Sequence, residues 1–214
     1  IPRDESNLLV RAMAYAFEAV DRPMPGLRLR ARNTIPHGRG LGSSGAAVVA
    51  GILAVKGLLE GDVEIGPDTM LRLVSPVVFV PSFTMSTSVA RSLQPLQVPR
   101  EDAVFNLSRS ALLIAALTQS PELLLAATED KLHQNYRAQA MPETDRLVRT
   151  LREHGFAAVV SGAGPSVLVL ADGPGRRLEA AAEQVTDTPW EAHMLAVDVK
   201  GGTVKEHAGG STYL

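Results

Sequence analysis

The chain contains no cysteine. That excludes disulfides, thiolate metal sites and a cysteine nucleophile. It suits a reducing compartment, and the expected location is cytoplasmic. No apolar run reaches about 18 residues, so no membrane-spanning helix is expected. Net charge is only −2 and the arginines are dispersed, which gives no electrostatic case for nucleic acid or an anionic membrane surface. The start, Ile1-Pro2-Arg3-Asp4-Glu5-Ser6, has no signal-peptide pattern. It also lacks Met, as a chain taken from within a longer gene product would. No internal repeat and no low-complexity tract is visible. What remains is an ordinary globular composition, 45% hydrophobic and 21% charged over 214 residues, ample for one large or two small domains.

The most informative stretch is Pro36-His37-Gly38-Arg39-Gly40-Leu41-Gly42-Ser43-Ser44-Gly45-Ala46-Ala47. Before it, Leu27-Arg28-Leu29-Arg30-Ala31-Arg32 alternates and predicts a strand over 27–33, with Arg28, Arg30 and Arg32 on a solvated face. After it, an apolar run predicts a helix from Ser43 to about Leu59, burying Ala47, Ala50, Leu53, Ala54 and Leu58 and stopped by Gly61. Glycines that turn a strand end into a helix start expose backbone N–H groups beside the positive end of the helix dipole. That is an anion site a phosphate can approach closely.

Elsewhere the pattern predicts a helix capped by Ser6 and ended by Pro23, with Leu9, Met13, Ala16 and Val20 on one face. Pro67–Leu73 reads as a helix start that runs, with no turn residues, into a buried strand over 75–81. That abrupt join suggests that residues are absent between about Leu73 and Ser75. A short helix follows from Ser86, then helices over 102–118, from Ser120-Pro121 to about His133, and from Pro142 to Gly155. Strands are expected over 156–160, 166–171 and 191–200, with a helix over 175–185. From Pro76 onward this is the split β-α-β-β-α-β order of ferredoxin-like domains. The chain divides into an N-terminal domain, 1–74, and a C-terminal domain, 75–214.

Three phosphate-binding readings compete for the glycine-rich stretch. A P-loop requires Lys, and none occurs in Pro36–Ala47. The dinucleotide fingerprint is literally present as Gly40, Gly42 and Gly45, with Glu60 and Asp62 downstream. Its strand, however, should be apolar on both faces, and Leu-Arg-Leu-Arg-Ala-Arg is not. The third reading, Pro-x-x-x-Gly-Leu-Gly-Ser-Ser-x-Ala, places two hydroxyls at the helix N-terminus.

This third stretch resembles the ATP loop of the GHMP kinases, with Gly45 where the family usually has Ala. The turn Ser161-Gly162-Ala163-Gly164-Pro165-Ser166 resembles their third motif, a loop against substrate. Ser-Thr-Ser-Val-Ala-Arg at 86–91, Phe105-Asn106-Leu107-Ser108-Arg109 and Leu132-His133-Gln134-Asn135-Tyr136-Arg137 resemble the homoserine kinase branch. The resemblance implies an α+β GHMP kinase fold, with a ribosomal S5-like N-terminal domain and a ferredoxin-like C-terminal one. It implies ATP held between them by Pro36, His37, Gly38, Arg39, Gly40, Leu41, Gly42, Ser43, Ser44, Gly45 and Ala46, with Ser44 a candidate Mg²⁺ ligand. Gly162 and Gly164 would line the substrate side. Arg91 and Arg137 would hold the carboxylate of L-homoserine, with Thr87 near the reacting hydroxyl and His133 a helix residue near the site. The product would be O-phosphohomoserine, toward threonine. A homodimer is compatible with this, and neither nucleic acid nor membrane is expected as a partner. Two pieces of the homoserine kinase pattern are missing from the sequence: an N-terminal Asn-x-Gly-x-Gly-Phe-Asp segment, and a Glu-Gly-His-Pro-Asp-Asn segment that supplies the acidic Mg²⁺ ligand. The alternatives are a mevalonate-type kinase of the same family and a non-catalytic nucleotide-binding relative.

Overall fold

The computed structural model of the chain describes residues 4–19, 21–59, 74–172, 189–198 and 202–203. Contacts group it into two units: Ile1–Thr34 with Gly42–Pro67 and Lys200–Leu214, and Ile35–Leu41 with Asp68–Val199. The short segment Ile35–Leu41, read from sequence as part of the N-terminal domain, thus has its contacts within the second unit.

In the first unit, α1 (Leu8–Ala19) lies against α2 (Ser43–Leu58), with Met13, Phe17 and Val55 at the centre. Asn7 caps α1, its Oδ1 accepting from Leu9 N at 3.0 Å. The expected cap, Ser6, instead donates to Asp4. The helices approach at Gly51, where a Cβ would stand 2.7 Å from Leu9 O and 2.9 Å from Ala12 Cβ. The buried face of α2 is therefore centred on Gly51 and Val55, while Ala50 and Leu58 are exposed. The sequence misplaced that face because nearly every side chain of α2 is apolar or small, so the pattern has no preferred direction.

The predicted strand over 27–33 is irregular chain, with all three arginines exposed. Alternation alone does not make a strand: its backbone groups need a neighbour, and no strand lies beside it among the described residues of this unit. Leu27 still packs on the helix pair.

The second unit is built on four antiparallel strands, β1 (Val74–Pro81), β2 (Ala157–Val160), β3 (Val167–Asp172) and β4 (Trp190–Met194), in the order β2-β3-β1-β4. This is the split ferredoxin-like order expected from sequence. Pairing runs Val77↔Val169 and Phe79↔Val167 on one side of β1 and Val78↔His193 on the other. β4 is shorter than the expected 191–200 strand. The helices are α3 (Thr87–Ser92), α4 (Arg100–Thr118), α5 (Leu124–Ala127), α6 (Gln134–Arg137) and α7 (Pro142–Glu153). Leu147, Val148 and Leu151 of α7 bury against Val77, Phe79, Ala158, Val167 and Val169. Ala116, Leu124 and Ala127 cover Ala157 on the opposite face of the sheet.

One helix was mis-drawn from sequence. The segment after Ser120-Pro121 is a 3₁₀ turn and α5, ending at Ala127 rather than near His133. Residues 130–133 form a turn into the separate α6, so His133 precedes that helix rather than lying in one. The helix start expected at Pro67–Leu73, the join at Leu73–Ser75, the stop at Gly61 and the 175–185 helix lie outside the described residues. Among the described residues, no helix is long and apolar enough to cross a membrane.

Candidate active site

The first glycine-rich turn takes left-handed backbone at Gly38, Gly40 and Gly42 (φ 68°, 74° and 78°). Its first half is fastened to the second unit. Gly38 O accepts from Met85 N at 3.2 Å. The Arg39 guanidinium donates to the carbonyls of Pro81 and Ser82 at the end of β1, so it is engaged by backbone. Gly40 O accepts from Ser161 Oγ at 2.9 Å. A Cβ on Gly40 would collide with Ser161 O and stand 2.9 Å from Gly164 O. Pro36 and His37 are exposed and Leu41 is half-buried.

The second half opens α2 in the first unit. Gly42 is the N-cap residue of this sixteen-residue helix and brings no side-chain cap of its own. That leaves the end suited to an anion. Ser43 Oγ accepts from Asn33 Nδ2 at 3.1 Å. Ala46 N donates to Gly42 O at 2.8 Å, and Gly45 has open space around it. Ser44 lies in the first turn of α2, and its side chain is outside the described residues.

The second turn, residues 161–166, is a closed hairpin. Ser161 N donates to Ser166 O and Gly164 N to Ser161 O, at 2.8 and 2.9 Å. Gly162 and Gly164 are left-handed (φ 57° and 86°), and the Gly164–Pro165 bond is cis. Thr144 of α7, fully buried, donates to Pro165 O at 2.7 Å. A Cβ on Gly164 would lie 2.6 Å from Met141 Sδ, so this glycine lets the turn sit on that side chain.

Arg137 closes α6 and donates through Nη1 to Gly162 O at 3.0 Å. The Gln94 amide, oriented with its oxygen toward Arg137 Nε (3.0 Å) and its nitrogen toward Leu132 O (2.7 Å), satisfies both groups. Gln94 N in turn donates to Arg91 O. The segments carrying the two predicted substrate arginines are thereby joined. Arg91 and Thr87 stand one turn apart on α3, both exposed, after the cap at Ser86. A cleft of about 360 Å³ is lined by Arg137, Gly162, Gln134, His133 and Asp130 among others.

Sequence reasoning passed over Asp130. Its Oδ2 accepts from His133 N (2.8 Å) and Gln134 N (2.7 Å). Its Oδ1 accepts from Asn106 Nδ2 (2.7 Å) and Leu132 N (3.2 Å), and pairs with His133 Nδ1 (2.9 Å). Burial works against the charge. The N–H donors of Gln134, the Asn106 amide and His133 outweigh it, and the carboxyl pKa falls to about 2. The stabilisation this gives is fully present above the ordinary value of 3.8 and is lost as pH falls toward 2. Unfolding free energy should therefore drop by about 2 kcal/mol across that window. Asp130→Asn should remove this part of the acid slope, and an unchanged slope in urea titrations from pH 5 to 2 would refute the assignment. Asp130 stands four residues before the start of α6, in a turn that a single helix drawn through His133 does not contain.

The family model "GHMP kinases N terminal domain" matches residues 7–78 and "GHMP kinases C terminal" matches residues 109–188. The homoserine kinase of Clavibacter michiganensis subsp. michiganensis is 58% identical over 247 residues, covering 96% of this chain and 78% of the relative. That of Streptomyces coelicolor is 42% identical, covering 95% and 78%. The chain belongs to the homoserine kinases of the GHMP kinase family. A crystal structure of homoserine kinase from Cytophaga hutchinsonii shares the fold, with TM-score 0.71 at 18% identity over 94% of this chain and 79% of that one. The GHMP kinase fold inferred from the motifs is thus the fold of this chain.

Two features of this homoserine kinase relative bear on the site. First, 96% of a 214-residue chain is about 205 residues, laid over 247 aligned positions, so about 40 positions of the Clavibacter relative have no counterpart here. Second, the donors needed for a Mg²⁺ ion are incomplete. Neither glycine-rich turn carries an acidic residue, and no group of three potential ligands occurs among the described residues. Mg²⁺ binds through carboxylates together with substrate phosphates. The described residues do not fit it.

Proposed function

We propose that this homoserine kinase transfers the γ-phosphoryl group of ATP to the side-chain hydroxyl of L-homoserine, giving O-phospho-L-homoserine and ADP, in the cytoplasm. The observation that supports it best is the seating of Gly40 on the second turn, with Arg137 hooked to that same turn. A nucleotide loop and a candidate carboxylate-binding guanidinium then share one rigid platform. Phosphoryl transfer rests on positioning and charge neutralisation. The backbone of residues 38–46 would take phosphate oxygens. Arg91 and Arg137 would take the acceptor's carboxylate, which a planar guanidinium matches in two-point fashion. Thr87 would stand beside the hydroxyl that reacts. The acidic segment that supplies the Mg²⁺ ligand in the family pattern would fall among the roughly 40 positions of the relative that have no counterpart in this chain.

That same excess favours a second reading, a nucleotide-binding relative that has lost turnover. ADP release measured with L-homoserine, with mevalonate and with no acceptor separates the cases. Release that requires L-homoserine supports the kinase. Release with mevalonate, or none with any acceptor while nucleotide still binds, overturns it. Within the kinase reading, Arg91→Ala should raise KM for L-homoserine at least about tenfold and leave KM for ATP nearly unchanged. Equal shifts in the two constants would remove Arg91 from the substrate site.

A further inference from the structure

Arg137 ends a helix of only four residues, Gln134–Arg137. Such a short helix has too few internal bonds to hold its own shape. Its order must come from outside, and the hydrogen bonds say from where. Asp130 gathers the N–H groups of Leu132, His133 and Gln134 at the start of the turn. Asn106 of α4 holds Asp130 in place, donating to its Oδ1 at 2.7 Å while accepting from Lys131 N at 2.8 Å. From the turn so fixed, two side chains reach the second glycine-rich turn. Gln134 Oε1 accepts from Val160 N at 2.7 Å, one residue before Ser161. Arg137 Nη1 donates to Gly162 O at 3.0 Å. One four-residue turn thus grips both shoulders of the loop that seats Gly40.

We propose that Asp130 is the positioning residue for Arg137, setting the guanidinium in the cleft where the acceptor's carboxylate binds. The inference rests on the reading of Arg137 given above. The chemistry requires a carboxylate at this point. Backbone N–H groups and the Asn106 amide all converge as donors, so an acceptor-only group satisfies them, whereas an amide would turn its own N–H toward one of them. Asp130 makes no contact with substrate in this role. It acts through the turn, and a displacement of about 1 Å at Arg137 is enough to cost about a hundredfold in binding or rate.

A double-mutant cycle tests this. The dissociation constant for L-homoserine is measured calorimetrically with a saturating non-hydrolysable ATP analogue, alongside KM for both substrates, in Asp130→Asn, Arg137→Ala and the double variant. Asp130→Asn should weaken L-homoserine about ten- to a hundredfold and leave the affinity for the ATP analogue within about twofold. In the Arg137→Ala background it should weaken L-homoserine no further, because the two residues act as one unit. Effects that multiply, or a loss of nucleotide affinity as large as that of L-homoserine, would show a merely structural role and overturn the proposal. If Arg137→Ala alone leaves L-homoserine binding unchanged, the reading of Arg137 fails and takes the inference with it. If Arg137→Ala weakens binding and Asp130→Asn does not, only the inference fails. Should Asp130→Asn not fold, Asp130→Ser, which keeps an oxygen acceptor for the turn, goes through the same cycle with the same criteria.

Discussion

Gly40→Ala is expected to abolish the kinase activity and to cost several kcal/mol of stability. Two effects add. At φ 74° any residue with a Cβ takes left-handed backbone at a cost of about 1–2 kcal/mol. The added methyl would also collide with Ser161 O and stand 2.9 Å from Gly164 O. Both are backbone atoms of a hairpin closed by its own hydrogen bonds and pinned by Thr144, so no flexible side chain can yield. The two turns would have to part. That breaks the bond from Ser161 Oγ to Gly40 O and moves the platform under Arg137. The neighbouring glycines provide the controls. Gly42 has the same left-handed backbone but open space, so Gly42→Ala should cost only the strain, about 1 kcal/mol. Gly45 is helical with open space, and Gly45→Ala should be neutral or stabilising by up to about 1 kcal/mol. Thermal unfolding and ADP release of the three variants check the ranking. A Gly40→Ala protein with normal melting and turnover would show that the loops do not need to interlock.

That contrast also marks how far the sequence could be read. Three glycines in one motif look equivalent on paper. Their different demands come from what stands opposite each, and Ser161 is distant from Gly40 in the chain. Residues that define a motif were legible because they stand together in one short stretch of chain. The ferredoxin-like strand order was legible for a similar reason: β1, β2 and β3 are continuous apolar runs that only a buried sheet explains. The strand over 27–33 failed because a strand is made by its neighbour, which the alternating pattern does not contain. The buried face of α2 failed because a uniformly apolar helix leaves the choice to packing against α1. Asp130 and Gln94 went unseen because their roles are hydrogen bonds to groups that only the fold brings near.

Arg152→Met should destabilise the second unit by about 3 kcal/mol. α5 is four residues long, and its last carbonyls need partners from outside the helix. Arg152, in the last turn of α7, supplies one of them. Its Nη2 donates to Leu125 O at 2.7 Å. Its Nη1 donates to Thr128 Oγ1 at 2.9 Å and to Ala158 O in β2 at 3.1 Å. One guanidinium therefore ties α5, α7 and β2 together. Burial lowers its pKa, opposed by the charge of Glu129, and it remains a cation at any pH the protein meets. Met would fill the volume but remove this donor from all three oxygens, Leu125 O keeping only its longer bond from Thr128 Oγ1 at 3.2 Å. Lys offers one ammonium where a flat fork spans three acceptors, so Arg152→Lys should recover less than half of the loss. Urea unfolding of the two variants measures this, and a loss below about 1 kcal/mol for Arg152→Met would show that water replaces the guanidinium there. The effect should also reach the site. Thr128, braced by Arg152, stands two residues before Asp130, so a loosened α5 shifts the origin of the turn that carries Arg137. At temperatures where Arg152→Met is still folded, its KM for L-homoserine should rise while its KM for ATP holds. The proposed acceptor side is then tied, through backbone and hydrogen bonds alone, to a half-buried cation whose own chemistry plays no part in the reaction.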